Sequence, residues 1–441
     1  MSASASSLDP VAQAVGDPAT LLRQWPPDRP VAMVPCGLDA DVPRAVLVGE
    51  PSHAATLEAE AQDGSCDRIE RAADRQRVLD FLECELPDPR VGTGDTDPTS
   101  KVVLLGYQLG RRLEPTARRD SRPSATSLPD AWIASLDPST IRRLVRSSAE
   151  TGASAAPANS FRLTPLVADH GDDAFAATVA EGVELVHAGD IFQVNLSERF
   201  SATLEGRARD LAARVLAGGS ARFGGYVELA PDLAVLSLSP ELFLHCDREG
   251  RVVTRPIKGT RPLGCDLDEF ARSSKEASEL AMIVDLMRND LGRVCRSGSV
   301  EVTEARRFEA HPTVLHAVAE IRGRLRAEVS PAALLAATFP PGSVTGAPKI
   351  RAMQVIETLE PHQRGFYCGS LGSLDCNGDL LLNVAIRTAV LRRVATSPSE
   401  IWSVEYFAGC GIVADSDPRA EAAERRTKAE VLDRWSSRGP S

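Results

Sequence analysis

The sequence predicts an α+β protein, in one interleaved domain or in two subdomains, and three observations carry that expectation. Short apolar runs bounded by Pro/Gly turns read as strands, and longer stretches carry helical spacing. A small, polar segment near residue 150 divides the chain. At 441 residues the chain exceeds the usual size of a single core, so one large interleaved domain or two subdomains both suit its length.

In the first part, RAVLVG (44 to 49) and VVLLGY (102 to 107) are strand-like runs among acidic and Pro/Gly-rich segments such as PDPRVGTGDTDPTS. SSAETGASAAPANS (147 to 160) has linker composition, which sets the expected units at 1–150 and 160–435. FAATVAEGVELVHAG (175 to 189) has helical spacing. IFQVNLSERF and YVELAPDLAVLSLSPELFLHC read as strands, with turns at Ala230-Pro231 and Ser239-Pro240. VVTRPIKGT runs from strand into turn. Leu267 to Val294 is one helical pattern in which Leu280, Ile283, Leu286, Met287 and Leu291 draw an apolar stripe. LLNVAIRTAVL reads as a mostly apolar strand interrupted by Arg387. The last helix opens with Asp417 as cap and Pro418 at the first helical position.

Composition narrows the function classes. With 43% hydrophobic and 25% charged residues and no apolar run near the ~18 needed for a bilayer, a membrane span is not expected. The opening MSASASSLDPVAQAVGDPATLL lacks a basic start followed by an apolar stretch, so the cytoplasm is the expected compartment. Nine cysteines form no CxxC pair, which argues for reduced thiols and against structural zinc. A net charge of -11 disfavours general nucleic-acid binding; an anionic ligand would need a local cationic site.

Several residues carry candidate chemistry. Only five of the 50 basic residues are lysine, at 101, 258, 275, 349 and 428. Lys258, in TRPIKGTRP, is therefore either a strand-end charge or a deliberate amine nucleophile, a role arginine cannot fill. Glu279 falls on the helical stripe, because 279, 283, 286 and 290 stack at i, i+4, i+7 and i+11; it either sits at the stripe's wet edge or has a buried partner. Glu421, Glu424 and Lys428 share a face of the last helix, as a solvated ladder or as carboxylates for a hard cation. FPPGSVTGAPKIRAMQVIE puts Ser343, Thr345 and Lys349 at the mouth of a helix, a structural cap or an anion site. The turn FAGCGIVADS could offer the N–H groups of Gly409, Cys410 and Gly411 to a carboxylate. Arg387 is either paired internally or presented to a bound carboxylate. His316 lies in apolar company as a core histidine would, and Glu241 follows a Ser-Pro turn.

The order of these stretches changes their weight. SPELF, RPIKGT, ELAMIVDLMRNDLGRV, HPTVLHAV, FPPGSVTGAPK, GFYCGSLG, NVAIRTA, AGCGIVADSDP and EAAERRTKAE closely resemble the chorismate-utilising enzymes over about residues 160 to 435. LLGYQLGRRLEP and LPDAWIASLDP extend the resemblance, more weakly, into the N-terminal part. It implies an anthranilate synthase component I-like fold: two interleaved subdomains with large, mainly antiparallel sheets flanked by helices. It also implies a Mg²⁺ site for chorismate, with Glu279 and Glu424 holding the metal and Glu421 near it. Arg387, Tyr367 and the backbone of Gly409 to Gly411 would take the enolpyruvyl carboxylate, while Gly259, Thr260, Thr345 and Lys349 complete the pocket.

Within that family PIKGT is similar to the branch that makes 4-amino-4-deoxychorismate, where a lysine adds to the ring and ammonia displaces it. Lys258 would be the nucleophile, Glu241 the acid/base and His316 the neighbour of the departing hydroxyl. Isochorismate-type relatives carry a lysine where Gln193 stands, and glutamine cannot act as that base. No glutaminase domain is evident, so ammonia is expected from a separate class I glutamine amidotransferase subunit. ARFGGYVEL lacks the PxPY-like sequence of tryptophan-binding relatives, and FPPGS stands for the commoner FPGGS. The alternatives in view are anthranilate synthase component I chemistry and a non-catalytic chorismate-binding subunit.

Overall fold

The computed structural model describes residues 13–14, 18–39, 42–58, 68–88, 90, 99–117, 128–145, 161–218, 221–310, 314–396 and 399–436. The linker-like segment at 147 to 160 lies outside them. Among the described residues the strands form two large sheets, one of twelve and one of ten. Every strand pairing is antiparallel except that of Gln13–Ala14 with Arg142–Val145. The fold is α+β, as the sequence predicts.

The larger sheet has the long pair Gln193–Gly206 and Ile401–Ile412 toward one end, and passes through Thr388–Ala395, Leu233–Ser237 and Gly225–Ala230 to Ala32–Asp39 and Val42–Gly49. In the smaller, Ile257–Pro262 pairs with Val314–Arg324, and the order continues through Arg251–Arg255, Leu242–Cys246, Leu380–Asn383 and Ser370–Leu374 to Lys101–Leu105 and Ala131–Leu136. Both sheets thus hold strands from before and after residue 150, joined in the larger by Ala32–Asp39 with Gly225–Ala230 and in the smaller by Lys101–Leu105 with Ser370–Leu374, which is what interleaving means here. Val34, Leu47, Val235 and Val390 from one sheet meet Val102, Leu104, Trp132 and Leu371 from the other in a shared core layer. Alternation of apolar residues along these strands delivers one face of each to that layer.

Helices cover the outer faces. Ala208–Ala217 and Pro418–Asp433 put Leu211, Val215, Ala429 and Leu432 against the larger sheet. Ser274–Gly292 puts Leu280, Ile283, Met287 and Leu291 into the other core. Asp417 caps its helix as expected, its Oδ1 accepting the Ala420 N–H at 2.8 Å, with Pro418 in the first turn. No described helix is long and apolar enough to cross a membrane.

Three stretches differ from the sequence reading. The pattern from Leu267 to Val294 is two helices, Leu267–Arg272 and Ser274–Gly292, because Ser273 is extended. VVTRPIKGT is two strands on either side of Pro256, which has no N–H to continue a ladder. LLNVAIRTAVL is likewise two strands, Leu380–Asn383 in the smaller sheet and Thr388–Ala395 in the larger, joined by a crossing at 384 to 387.

A second crossing, at 238 to 241, links Leu233–Ser237 to Leu242–Cys246. The two crossings run side by side. The Leu238 N–H donates to the Arg387 carbonyl at 2.9 Å, the Val384 N–H to the Glu241 carbonyl at 3.0 Å, and Ser239 Oγ to the Val384 carbonyl at 2.6 Å. Where strands leave one sheet for the other the ladders part, and the site lies there.

Candidate active site

A cavity of about 460 Å³ opens beside the crossings. That volume lies within the usual range for small-molecule sites. Lys258 reaches it through a local irregularity. Ile257 pairs with Val318 and Thr260 with His316, so the strand carries one more residue than its partner between those points. A bulge of this kind re-aims a side chain. Gly259, at φ +82°, supplies the left-handed turn, and a β-carbon there would meet the Phe270 ring at 3.1 Å.

Burial pushes the Lys258 pKa below the ordinary lysine value, while Glu279 pulls the other way. A neutral amine is thereby favoured, which is the nucleophilic form. Across the cavity wall stands Gly411. Gln193 flanks the same point; it is wholly buried, and neither amide atom has a hydrogen-bond partner among the described residues.

Glu241 sits on the crossing at 238 to 241, 3% exposed. Burial pushes its carboxyl up to about 7, against the pull of Ser343, Lys258, the Ile257 N–H and Arg387. It is therefore a carboxylic acid able to hold its proton near neutral pH. His316 is both things the sequence allowed: a buried histidine with Nδ1 2.8 Å from the Thr260 hydroxyl, and a member of the cavity wall. Arg387 occupies the crossing at 384 to 387 in a left-handed conformation, φ +52°. It makes no ion pair among the described residues, and burial pushes its pKa down. A half-buried guanidinium without an ion pair beside a cavity is suited to an incoming carboxylate. Tyr367 also lines the cavity and stacks on Phe407, with centroids 5.3 Å apart at 13°.

From the helices come the acids. Glu279 is half-buried on the wall, and Glu421 and Glu424 enter from the first turns of Pro418–Asp433. Glu421 Oε1 accepts from Ser416 Oγ at 2.8 Å, and Lys428 bridges Glu424 at 2.8 Å and the Gly409 carbonyl at 2.9 Å. The ladder reading gave the Glu424–Lys428 pair correctly, but both residues also face the cavity. Donor atoms of Glu421, Glu424 and Cys410 lie within 4.8 Å of one another. This carboxylate-rich cluster already attracts the Lys428 ammonium, so it suits a hard cation.

Of the residues singled out in the sequence, Lys258, Gly259, Thr260, Glu241, His316, Glu279, Tyr367, Arg387, Gly409, Gly411, Glu421 and Glu424 meet on this cavity. Three do not line it. Lys349 is buried in an ion pair, with Nζ 2.5 Å from Asp290 Oδ2 and 2.7 Å from the Thr338 carbonyl. Thr345 donates its hydroxyl to the Pro341 and Gly342 carbonyls and braces the loop. Cys410 alternates away from Gly409 and Gly411 along its strand, and its Sγ donates to the Glu421 carbonyl at 3.3 Å. Asn195 and Ser343 line the cavity as well; Asn195 stood in the strand-like stretch IFQVNLSERF with nothing in the sequence to mark it.

With this geometry in place, a family model described as chorismate binding enzyme matches residues 50–434. The chain belongs to that family. Among the chorismate-binding enzymes, aminodeoxychorismate synthase component 1 of Klebsiella aerogenes is 38% identical over 357 residues, 75% of this chain and 75% of that protein. Anthranilate synthase component 1 of Thermus thermophilus is 40% identical over 272 residues, 60% of this chain and 57% of that protein. The structure of anthranilate synthase component I from Streptococcus pneumoniae superposes with a TM-score of 0.69 at 26% identity, covering 90% of this chain and 94% of that one. Menaquinone-specific isochorismate synthase from Escherichia coli shares the fold, with a TM-score of 0.64 at 17% identity over 96% of this chain and 92% of that one.

Proposed function

We propose that this chain replaces the C4 hydroxyl of chorismate with an amino group, giving 4-amino-4-deoxychorismate, the precursor of 4-aminobenzoate. The observation that carries the reading is Lys258: an amine aimed into the cavity by a bulge, with its pKa lowered by burial. The relatives named aminodeoxychorismate synthase component 1 support it.

In the first step Lys258 Nζ forms a bond to C2 of the ring, the ring double bonds shift, and the C4–O bond breaks. Glu241 gives its proton to the departing oxygen, which leaves as water. His316, held by Thr260, stands beside that hydroxyl. In the second step ammonia bonds to C4, the double bonds shift back, and Lys258 leaves C2 as a neutral amine. The new C4 ammonium returns a proton to Glu241. Chorismate and ammonia become aminodeoxychorismate and water, and two allylic displacements replace one difficult substitution. Arg387 and Tyr367 hold the enolpyruvyl carboxylate. Mg²⁺ on Glu279, Glu421 and Glu424 would neutralise the ring carboxylate. Ammonia comes from a separate class I glutamine amidotransferase subunit, and the cytoplasm is the compartment this reading assigns.

The test is to incubate the chain with chorismate, Mg²⁺ and ammonium beside Lys258→Ala, and to identify the product by mass. Aminodeoxychorismate from the wild type and a large loss in the variant are expected. Anthranilate as the product would favour the second reading, which the Thermus thermophilus relative keeps in view. Chorismate binding without any turnover would leave a chorismate-binding subunit.

A further inference from the structure

Asn195 is only 7% exposed and lines the cavity, yet its side-chain Nδ2 has no hydrogen-bond partner among the described residues. A buried amide donor left unmade is costly, so its persistence in a cavity points to a ligand atom. Its backbone is fixed on both sides. The Asn195 N–H donates to the Thr345 carbonyl at 2.8 Å, and its carbonyl accepts from Arg364 at 2.6 Å. Arg364 is itself buried, doubly bonded to Glu360, and also donates to the Val344 carbonyl at 2.9 Å.

The direction of the side chain follows from register. Asn195 pairs directly with Gly411, and opposed residues of an antiparallel pair project from the same sheet face. On that face a β-carbon at Gly411 would lie 3.1 Å from Lys258 Nζ. The Asn195 amide therefore leaves the sheet on the side where the lysine amine stands, beside the glycine wall. The geometry points to Asn195 as a substrate-contacting residue whose Nδ2–H donates to a carboxylate oxygen on the side arm of the bound ring. Identifying that ring with chorismate rests on the function proposed above.

The test uses Asn195→Ala and Asn195→Asp in the full chain, with two readouts besides the melting temperature. The first is calorimetric binding of isophthalate, a ring with two carboxylates; the second is chorismate turnover with ammonium. A lost donor is expected to weaken isophthalate binding and lower kcat/KM by roughly 10-fold to 100-fold in Asn195→Ala. Asn195→Asp, though isosteric, is expected to be worse, because its carboxylate faces the ligand's. A purely structural asparagine gives the reverse order, with the isosteric variant milder. That order, or wild-type isophthalate affinity in Asn195→Asp, overturns the assignment. If the wild type leaves chorismate unchanged but the isophthalate order holds, the proposed reaction fails and the Asn195 contact stands.

Discussion

Gly411 faces the Lys258 amine across the cavity wall, so that a β-carbon added to it would stand 3.1 Å from Nζ and 2.8 Å from Gln193 Nε2. Both neighbours are the far ends of flexible side chains, so the chain can accommodate a methyl group by moving them. Gly411→Ala is therefore expected to fold with a melting temperature within a few degrees of wild type. Displacing the amine is expected to lower kcat roughly 10-fold to 100-fold, as misplacement of a reacting group does. Steady-state turnover and a circular-dichroism melt decide it; unchanged kcat would mean the amine is not where the chemistry happens.

The Glu241 carboxyl, pushed up to about 7 by burial, predicts two pH effects of definite sign. In the proposed reaction Glu241 acts as an acid and must be protonated, so adduct formation is expected to fall as pH rises through about 7. Lys258 must be neutral, so the same step falls at low pH, and the profile at fixed free ammonia is a bell. Folding carries the second effect. The folded pKa lies above the ordinary glutamate value of 4.5, so the stability linked to the neutral form is complete below 4.5 and is lost as pH rises through about 7. Glu241→Gln removes that loss. Denaturant titrations should show it gaining, relative to wild type, roughly 3 kcal/mol at most between pH 4 and pH 9.

Lys349 stabilises the fold from outside the cavity. Lys349→Met leaves the buried Asp290 carboxylate only its 3.2 Å contact with Arg293 and is expected to cost at most about 3–5 kcal/mol in urea unfolding. Adding Asp290→Asn should recover most of this. The double variant should keep a chorismate KM within about threefold of wild type, since neither group lines the cavity. A large rise in KM with restored stability would return Lys349 to the binding site.

The acids on the last helix predict metal dependence. Glu424→Gln removes one of the carboxylates proposed to hold the cation, together with the Lys428 partner. Mn²⁺ binding followed by electron paramagnetic resonance should weaken at least tenfold, as should Mg²⁺-supported turnover. Full Mn²⁺ affinity in the variant would place the metal elsewhere.

The sequence marked the residues that line the cavity better than their surroundings. Residues marked by scarcity or by a misplaced charge, such as Lys258, Arg387 and Glu279, all face the cavity. Lys349 misled because a lysine at a helix mouth looks the same whether it meets an anion or an internal carboxylate. A signal existed: Asp290 lay on the same helical stripe as Glu279, an acid needing a partner. Asn195 carried no signal, since its meaning comes from register with Gly411, more than 200 positions away. The crossings were illegible for a related reason. An apolar run with one arginine looks like a single strand, and only tertiary pairing shows that its halves belong to different sheets.

Those paired crossings impose an order in time. Glu241 and Arg387 take their positions only when both sheets exist, because each sits on a strap anchored at one end in each. The sheets in turn need pairings between distant parts of the chain, such as Lys101–Leu105 with Ser370–Leu374, and such contacts form late. During refolding from denaturant, helical and strand signals should return before any capacity to process chorismate, which ought to be the last property regained.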